Sequence, residues 1–211
     1  MELQISEEEF LVQNYLDVFR IIEDLRPVEK STGLKPEKIK ECLLKLAEKN
    51  LVMKEVKEKV EKWRITAKGE VVVKSYRQSL LEKTGRKDVI MSKFEEFENV
   101  YNTKFKELAT AWQVKIVGGR MIINDHSDPE YDAKILNQLF ELHERVVKVI
   151  KEIADAIPMF KTYITRLHYA IKKIKEERNY DYFIRHEDSY HNVWFELHEV
   201  ILRFWGRERR E

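Results

Sequence analysis

The sequence predicts a mostly α-helical protein in two parts. Residues 1–85 read as three helices, a small β-hairpin and a further helix, and residues 86–211 as an antiparallel four-helix bundle. Three observations carry this. Apolar side chains recur every three or four residues through most of the chain, the period of a helix with one buried face. Only after Asn50 does the pattern change to short, partly alternating runs, LVMKEV and EKWRIT, which read as paired strands joined by Lys57–Lys59. Breakers are few, 6 Gly and 4 Pro, and several stand where a helix would begin or end.

The first helix follows from Phe10, Leu11, Tyr15, Val18, Phe19, Ile22 and Leu25, with Ser6 as its cap and three glutamates in its first turn. Pro27 permits a short second helix, Val28 to Ser31, ended by Gly33. Pro36 opens a third, with Ile39, Leu43, Leu46 and Ala47 as its buried stripe, and after the two strands Ala67 starts a fourth through Val71, Val72, Tyr76 and Leu80.

Thr84-Gly85-Arg86-Lys87 is the internal boundary. Beyond it, Phe94, Phe97, Tyr101, Phe105, Leu108 and Trp112 mark one long helix, and Val117 to Pro129, with two glycines and an Asn-Asp pair, reads as a loop. Helices follow from Glu130 to Ala156, from Pro158 through Ile174, and from a cap at Asp188 or Ser189 through Phe204, closed by Gly206.

The bulk properties restrict function. With 39 basic and 38 acidic side chains, net charge favours neither nucleic acid nor membrane, so any electrostatic argument is local. No apolar run is long enough for a membrane span, and the acidic start MELQISEEEF is unlike a secretory signal, so a cytoplasmic location is expected. A lone Cys42 permits no internal disulfide. No phosphate loop, nucleophile elbow, HExxH or cysteine cluster occurs, so the sequence assigns no metal site, cofactor or catalytic residue.

GLKPEKIKECLLKLAEKNLV resembles the turn, third helix and first wing strand of MarR/PadR-type and archaeal winged helix-turn-helix proteins, and WRITAKGE resembles their Leu-Thr-x-x-Gly step from second strand into the next helix. The resemblance covers about 75 residues. It implies a DNA-binding regulator with the helix Pro36–Lys49 in the major groove and the Lys54–Lys62 hairpin, the wing, beside it. Residues 35–68 carry eleven basic and six acidic side chains, and Lys35, Lys38, Lys45, Lys49, Lys57, Lys59 and Lys62 are the candidate phosphate contacts. Against this, the third helix has no Arg, Asn, Gln, Ser or Thr between Pro36 and Lys49, the residue types that read base edges, and Glu37, Glu41 and Glu48 would repel phosphate if they faced it. A winged helix that docks a protein partner is the competing expectation.

All six histidines lie beyond residue 120. Two sit in a repeated phrase, Phe140-Glu141-Leu142-His143-Glu144 and Phe195-Glu196-Leu197-His198-Glu199, either two pseudo-symmetric facing helices or a coincidence of composition. Glu141 and His143 are two residues apart and point to different faces, unlike the i, i+3 pair of a di-iron bundle. The loop Asn124 to Pro129 is dense in ligand-type groups, and also reads as a helix start with Ser127 or Asp128 as cap and Pro129 at the first position.

NDHSDPEYD, followed later by SYHNVWFELHE, resembles a helical domain found behind winged helices in archaeal and actinobacterial proteins and associated with phosphoenolpyruvate-utilising enzymes. This resemblance implies a ligand pocket of Trp112, Asp125, His126, Asp128, Asp132, His143, Arg166, Ser189, His191, Trp194, Glu196 and His198. Arg166 would hold an acid, imidazoles and carboxylates would exchange protons, and the tryptophans would form walls. The leading expectation is therefore a DNA-binding transcriptional regulator with a ligand-sensing or dimerising helical domain, forming a homodimer. The alternative is an accessory or catalytic subunit of a phosphotransfer-type enzyme, with the winged helix docking a protein.

Overall fold

The computed structural model describes residues 4–58 and 60–207. Lys59, Arg209 and Arg210 lie outside the described residues, as does the side chain of Lys57. The protein is mostly helical with small antiparallel sheets. It divides into two compact units, Met1–Lys87 with Glu199–Glu211, and Asp88–His198. Among the described residues, no helix is long and apolar enough to cross a membrane.

The first unit begins with α1 (Glu7–Phe19), whose start is fixed by a reciprocal cap. Ser6 Oγ accepts from the Glu9 amide and Glu9 accepts from the Ser6 amide. Arg20 ends α1 in the left-handed region, its amide bonding Leu16. A two-residue strand follows, β1 (Ile21–Ile22), then α2 (Leu25–Thr32) and α3 (Pro36–Glu48). Helix α2 starts earlier than its apolar pattern suggests because Asp24 caps it and Pro27, lacking an N–H, falls in the first turn, where no amide has a helical acceptor. Strands β2 (Val52–Lys57) and β3 (Val60–Ile65) form the hairpin, and β1 adds to the far side of β3, giving the order β1-β3-β2. Thr66 then caps α4 (Ala67–Lys83) by accepting from the Gly69 amide, while its hydroxyl lies within bonding distance of the Asn50 and Leu51 carbonyls. Phe10 stacks on Tyr76 at 4.2 Å, and the core below is Val12, Leu16, Val28, Ile39, Leu43 and Leu46. Burial pushes the Cys42 thiol up to about 11, so it is an inert core group.

In the second unit the long helix expected over 94–112 is interrupted. Helix α5 (Lys87–Glu96) passes into a six-residue π-helix, Phe97–Asn102, before α6 (Thr103–Gln113). The wider turn brings Glu98 and Asn102 together on His198. The expected loop after Val117 instead contains the second strand of a hairpin, β4 (Val114–Val117) and β5 (Arg120–Ile123), turned by Gly118 and Gly119, both at positive φ as a two-residue hairpin turn requires. Helix α7 (Pro129–Ala154) packs on α6 and on α8 (Lys161–Lys175). Helix α9 (Tyr190–Trp205) closes the unit up to His198, and its last turns belong to the first unit.

Candidate functional site

Helix α3 turns Ile39, Cys42, Leu43 and Leu46 inward, which leaves Glu37, Lys40, Glu41, Leu44, Lys45 and Glu48 facing solvent. Of the five proposed phosphate contacts whose side chains are described, four are already held by carboxylates. Lys38 and Lys45 both pair with Glu41, at 3.0 and 2.6 Å, Lys49 with buried Glu9 at 2.8 Å, and Lys62 with Glu23 at 2.5 Å. The Lys38 and Lys45 ammonium pKa values rise, through their hydrogen bonds to Glu41. Lys35 is exposed with no such partner among the described residues. Glu9 of α1 and Glu23, both from outside the 35–68 segment, offset two of its five surplus charges, while Glu41, one of its own acids, is shared by Lys38 and Lys45.

The second unit distributes its candidate residues over separate hydrogen-bonded groups. At the start of α7, Asp128 accepts from the Tyr131 amide as the helix cap. Buried Asn124, which opens the ligand-dense loop but was not among the expected pocket residues, donates to the Trp112 carbonyl (3.1 Å) and to Asp132 (2.9 Å), using both amide hydrogens. His126 Nδ1 is 2.9 Å from the other Asp132 oxygen, so this nitrogen carries the proton, and its ring lies on Trp112 at 4.5 Å. Asp125 is occupied by Lys115 and Ser127, and their hydrogen bonds, Ser127's foremost, hold its carboxyl well below the usual range.

Helix α9 supplies the rest. Trp194 donates its indole N–H to Asn102 Oδ1 (3.0 Å), which orients the amide so that its nitrogen faces Glu98 and His198. His198 Nε2, 2.5 Å from Glu98, carries the proton and donates to it. Two residues before His198, and so on the opposite face of α9, Glu196 accepts from Arg166 (2.8 Å) and from the Tyr163 hydroxyl (3.1 Å). Arg166 is therefore spent on a protein carboxylate. Ser189 caps α9 by accepting from the Asn192 amide, and the His191 ring lies near the Asn192 side chain and, tilted by 32°, 6.1 Å from the Phe105 ring. The expected pocket omitted Glu98, Asn102, Tyr163, Asn124 and Tyr190. The first two depend on the π-helix, for which the sequence carries no periodic signal.

His143 is buried beside the Tyr190 hydroxyl (3.3 Å) and the His168 ring (4.7 Å), and its Nε2 has no hydrogen-bond partner among the described residues. Burial first, and His168 second, lower its pKa from 6.5 to about 4. The unfolded chain therefore takes up this proton before the folded one. Stability is full above pH 6.5 and falls as the pH drops towards 4, by up to about 3 kcal/mol from this group. Urea melts between pH 7 and 4 are expected to show that slope, and His143→Gln to flatten it. An unchanged slope in the variant would assign the pH dependence to other groups.

The remaining feature is apolar. One face of the β4–β5 hairpin carries Val114, Ile116, Met121 and Ile123, the last three between 70 and 81% exposed. With α6 and Tyr131 three of these residues line a groove of about 540 Å³, whose rim holds Lys106 and Glu107. Among the described residues, no group of three or more His, Cys, Asp or Glu side chains is arranged to hold a metal ion. No protein-family model, curated protein or solved structure matches the chain.

Proposed function

We propose that this chain is a homodimeric winged-helix regulatory protein that acts by binding, with α3 docking a protein partner. The observation that carries the reading is the topology of the first unit, α1-β1-α2-α3-β2-β3-α4 with β1 on the outer side of β3. This order supports reading the unit as a winged helix-turn-helix, in which α3 would take the recognition position and β2–β3 would be the wing. The surface of α3 decides what it docks. Its solvent face presents three glutamates around Leu44, which is 54% exposed, and its lysines are mostly paired internally. A surface with its cations cancelled gains little from counterion release and has an apolar centre suited to a protein.

The dimer contact we assign to the β4–β5 hairpin. A two-fold interface must be self-complementary. Here an apolar knob lies beside an apolar groove, and the groove rim carries one cation and one anion a residue apart, so Lys106 of one copy can meet Glu107 of the other. The DNA reading keeps one specific support, the exposed Lys35 and Lys40, for which no carboxylate partner is found among the described residues.

Sedimentation and DNA titration test these points together. The wild type is expected to sediment as a dimer and Ile116→Glu/Met121→Glu as a folded monomer, with DNA binding at 50 mM salt weak and unaffected by Glu41→Gln. A monomeric wild type would remove the assembly surface. Tight binding with a steep salt dependence would replace protein docking by DNA binding as the role of α3.

A further inference from the structure

A second concavity lies wholly within the first unit, where the last turns of α1 and α9 meet one face of α4. Its volume is about 350 Å³, and it is lined by Arg20, Lys74, Arg77, Arg203 and Arg207 with only Asp17 and Glu70 opposing them. Glu70, Lys74 and Arg77 stand at i, i+4 and i+7 on α4, so one helix face aims all three at the cleft.

We infer that this cleft binds the phosphate group of a small phosphate monoester. The reasoning is independent of what α3 docks. Both carboxylates are already shared. Glu70 pairs with Arg20, and Asp17 lies 2.7 Å from Arg77, 3.6 Å from Arg20 and 3.8 Å from Arg203. Lys74 and Arg207 have no carboxylate within ion-pair distance among the described residues, Arg207 resting instead on the Trp205 ring. Arg77 is buried and held by Asn14, which accepts from its Nε at 2.8 Å. Its Nη2 lies 2.7 Å from Asp17 and is fully buried, so this charge is answered inside the fold and the cleft is served by the exposed cations.

Charge selects the ligand class. The lining carries three more cations than anions. The C-terminal ends of α1 and α9 offset about one of those charges, at roughly half a charge each. About two positive charges remain, the complement of a phosphate monoester near neutral pH. The Lys74 ammonium and the Arg207 guanidinium, both exposed, supply the contacts to its oxygens. A monocarboxylate would leave about one charge unanswered, and a phosphodiester backbone carries one charge per phosphate. The volume exceeds what bare phosphate fills and leaves space for a small organic group.

The test is calorimetric titration of the full-length protein at constant ionic strength with glycerol 3-phosphate, inorganic phosphate, succinate and a double-stranded oligonucleotide. Glycerol 3-phosphate is expected to bind saturably, one per chain, at least tenfold tighter than succinate, with inorganic phosphate competing. Lys74→Gln and Arg207→Gln should each weaken it about tenfold. Both side chains are exposed, so their ligand-free melting temperatures should stay at the wild-type value. The inference is overturned by no saturable binding of either phosphate, by succinate binding equally well, by affinity unchanged in both variants, or by the oligonucleotide displacing glycerol 3-phosphate at equal or lower concentration.

Discussion

Gly69→Ala is expected to cost about 3 kcal/mol or more and to lower the melting temperature of the first unit by about 12 °C or more. Gly69 is buried in the first turn of α4, at a position with ordinary helical backbone, so conformational freedom is not the reason for glycine. Space is. A Cβ there would lie 2.1 Å from the Leu51 carbonyl oxygen and 2.9 Å from Ile65 Cγ1. The first contact is with backbone that no rotamer change can move. That carbonyl accepts from the Thr66 amide at 3.0 Å, and the Gly69 carbonyl accepts from buried Gln13 at 2.8 Å. Pushing α4 off the β2–β3 hairpin would therefore break the hydrogen bonds that join helix, hairpin and α1. Val71→Ala, on the exposed side of the same helix, is the control and should change stability by under about 0.5 kcal/mol. Thermal melts with matching midpoints for the two variants would remove this account of the glycine.

Arg77→Met should destabilise by about 3–5 kcal/mol, the range for removing one partner of a buried ion pair. The guanidinium is 4% exposed and Asp17 is 7% exposed. Burial lowers the Arg77 pKa and Asp17 works against that shift, so the charge persists because the carboxylate is there. Without Arg77, Asp17 keeps only the longer contacts to Arg20 and Arg203, and buried Asn14 loses the donor to its Oδ1. Asp17→Asn/Arg77→Met should recover part of the loss, since no uncompensated charge then remains. Denaturant titrations of the two single variants and the double variant give the coupling. A coupling near zero would mean that the pair contributes packing alone.

Local signals in the sequence mark the helix starts well. Ser6 with Glu9, Thr66 with Gly69, Asp128 before Pro129, and Ser189 before α9 each form the cap that their residue types favour. The same holds for the stripe of α3 and the hairpin pattern after Asn50, because these depend on neighbours within one turn or one strand. Strand β1 escapes such reading: two residues have no periodicity, and their hydrogen bonds come from β3, forty residues on. The β4–β5 hairpin escapes for another reason. Its apolar face is exposed, so no alternation against a core marks it.

The candidate surfaces divide the same way. Composition put a surplus of lysine on α3 and the hairpin, and only the fold revealed that Glu9, from forty residues away, and Glu23 from thirty-nine, hold Lys49 and Lys62. The second resemblance gathered the histidines into one expected pocket, whereas the structure gives His126, His143 and His198 separate partners in Asp132, Tyr190 and Glu98. The arginine cleft was invisible in sequence, because Arg20, Arg77 and Arg203 come from three distant segments. Helix periodicity, caps and turn residues are short-range and were set by the sequence alone. Which charges cancel and which are left over is a long-range property, since Coulomb attraction acts between groups that only the tertiary fold brings within a few ångströms.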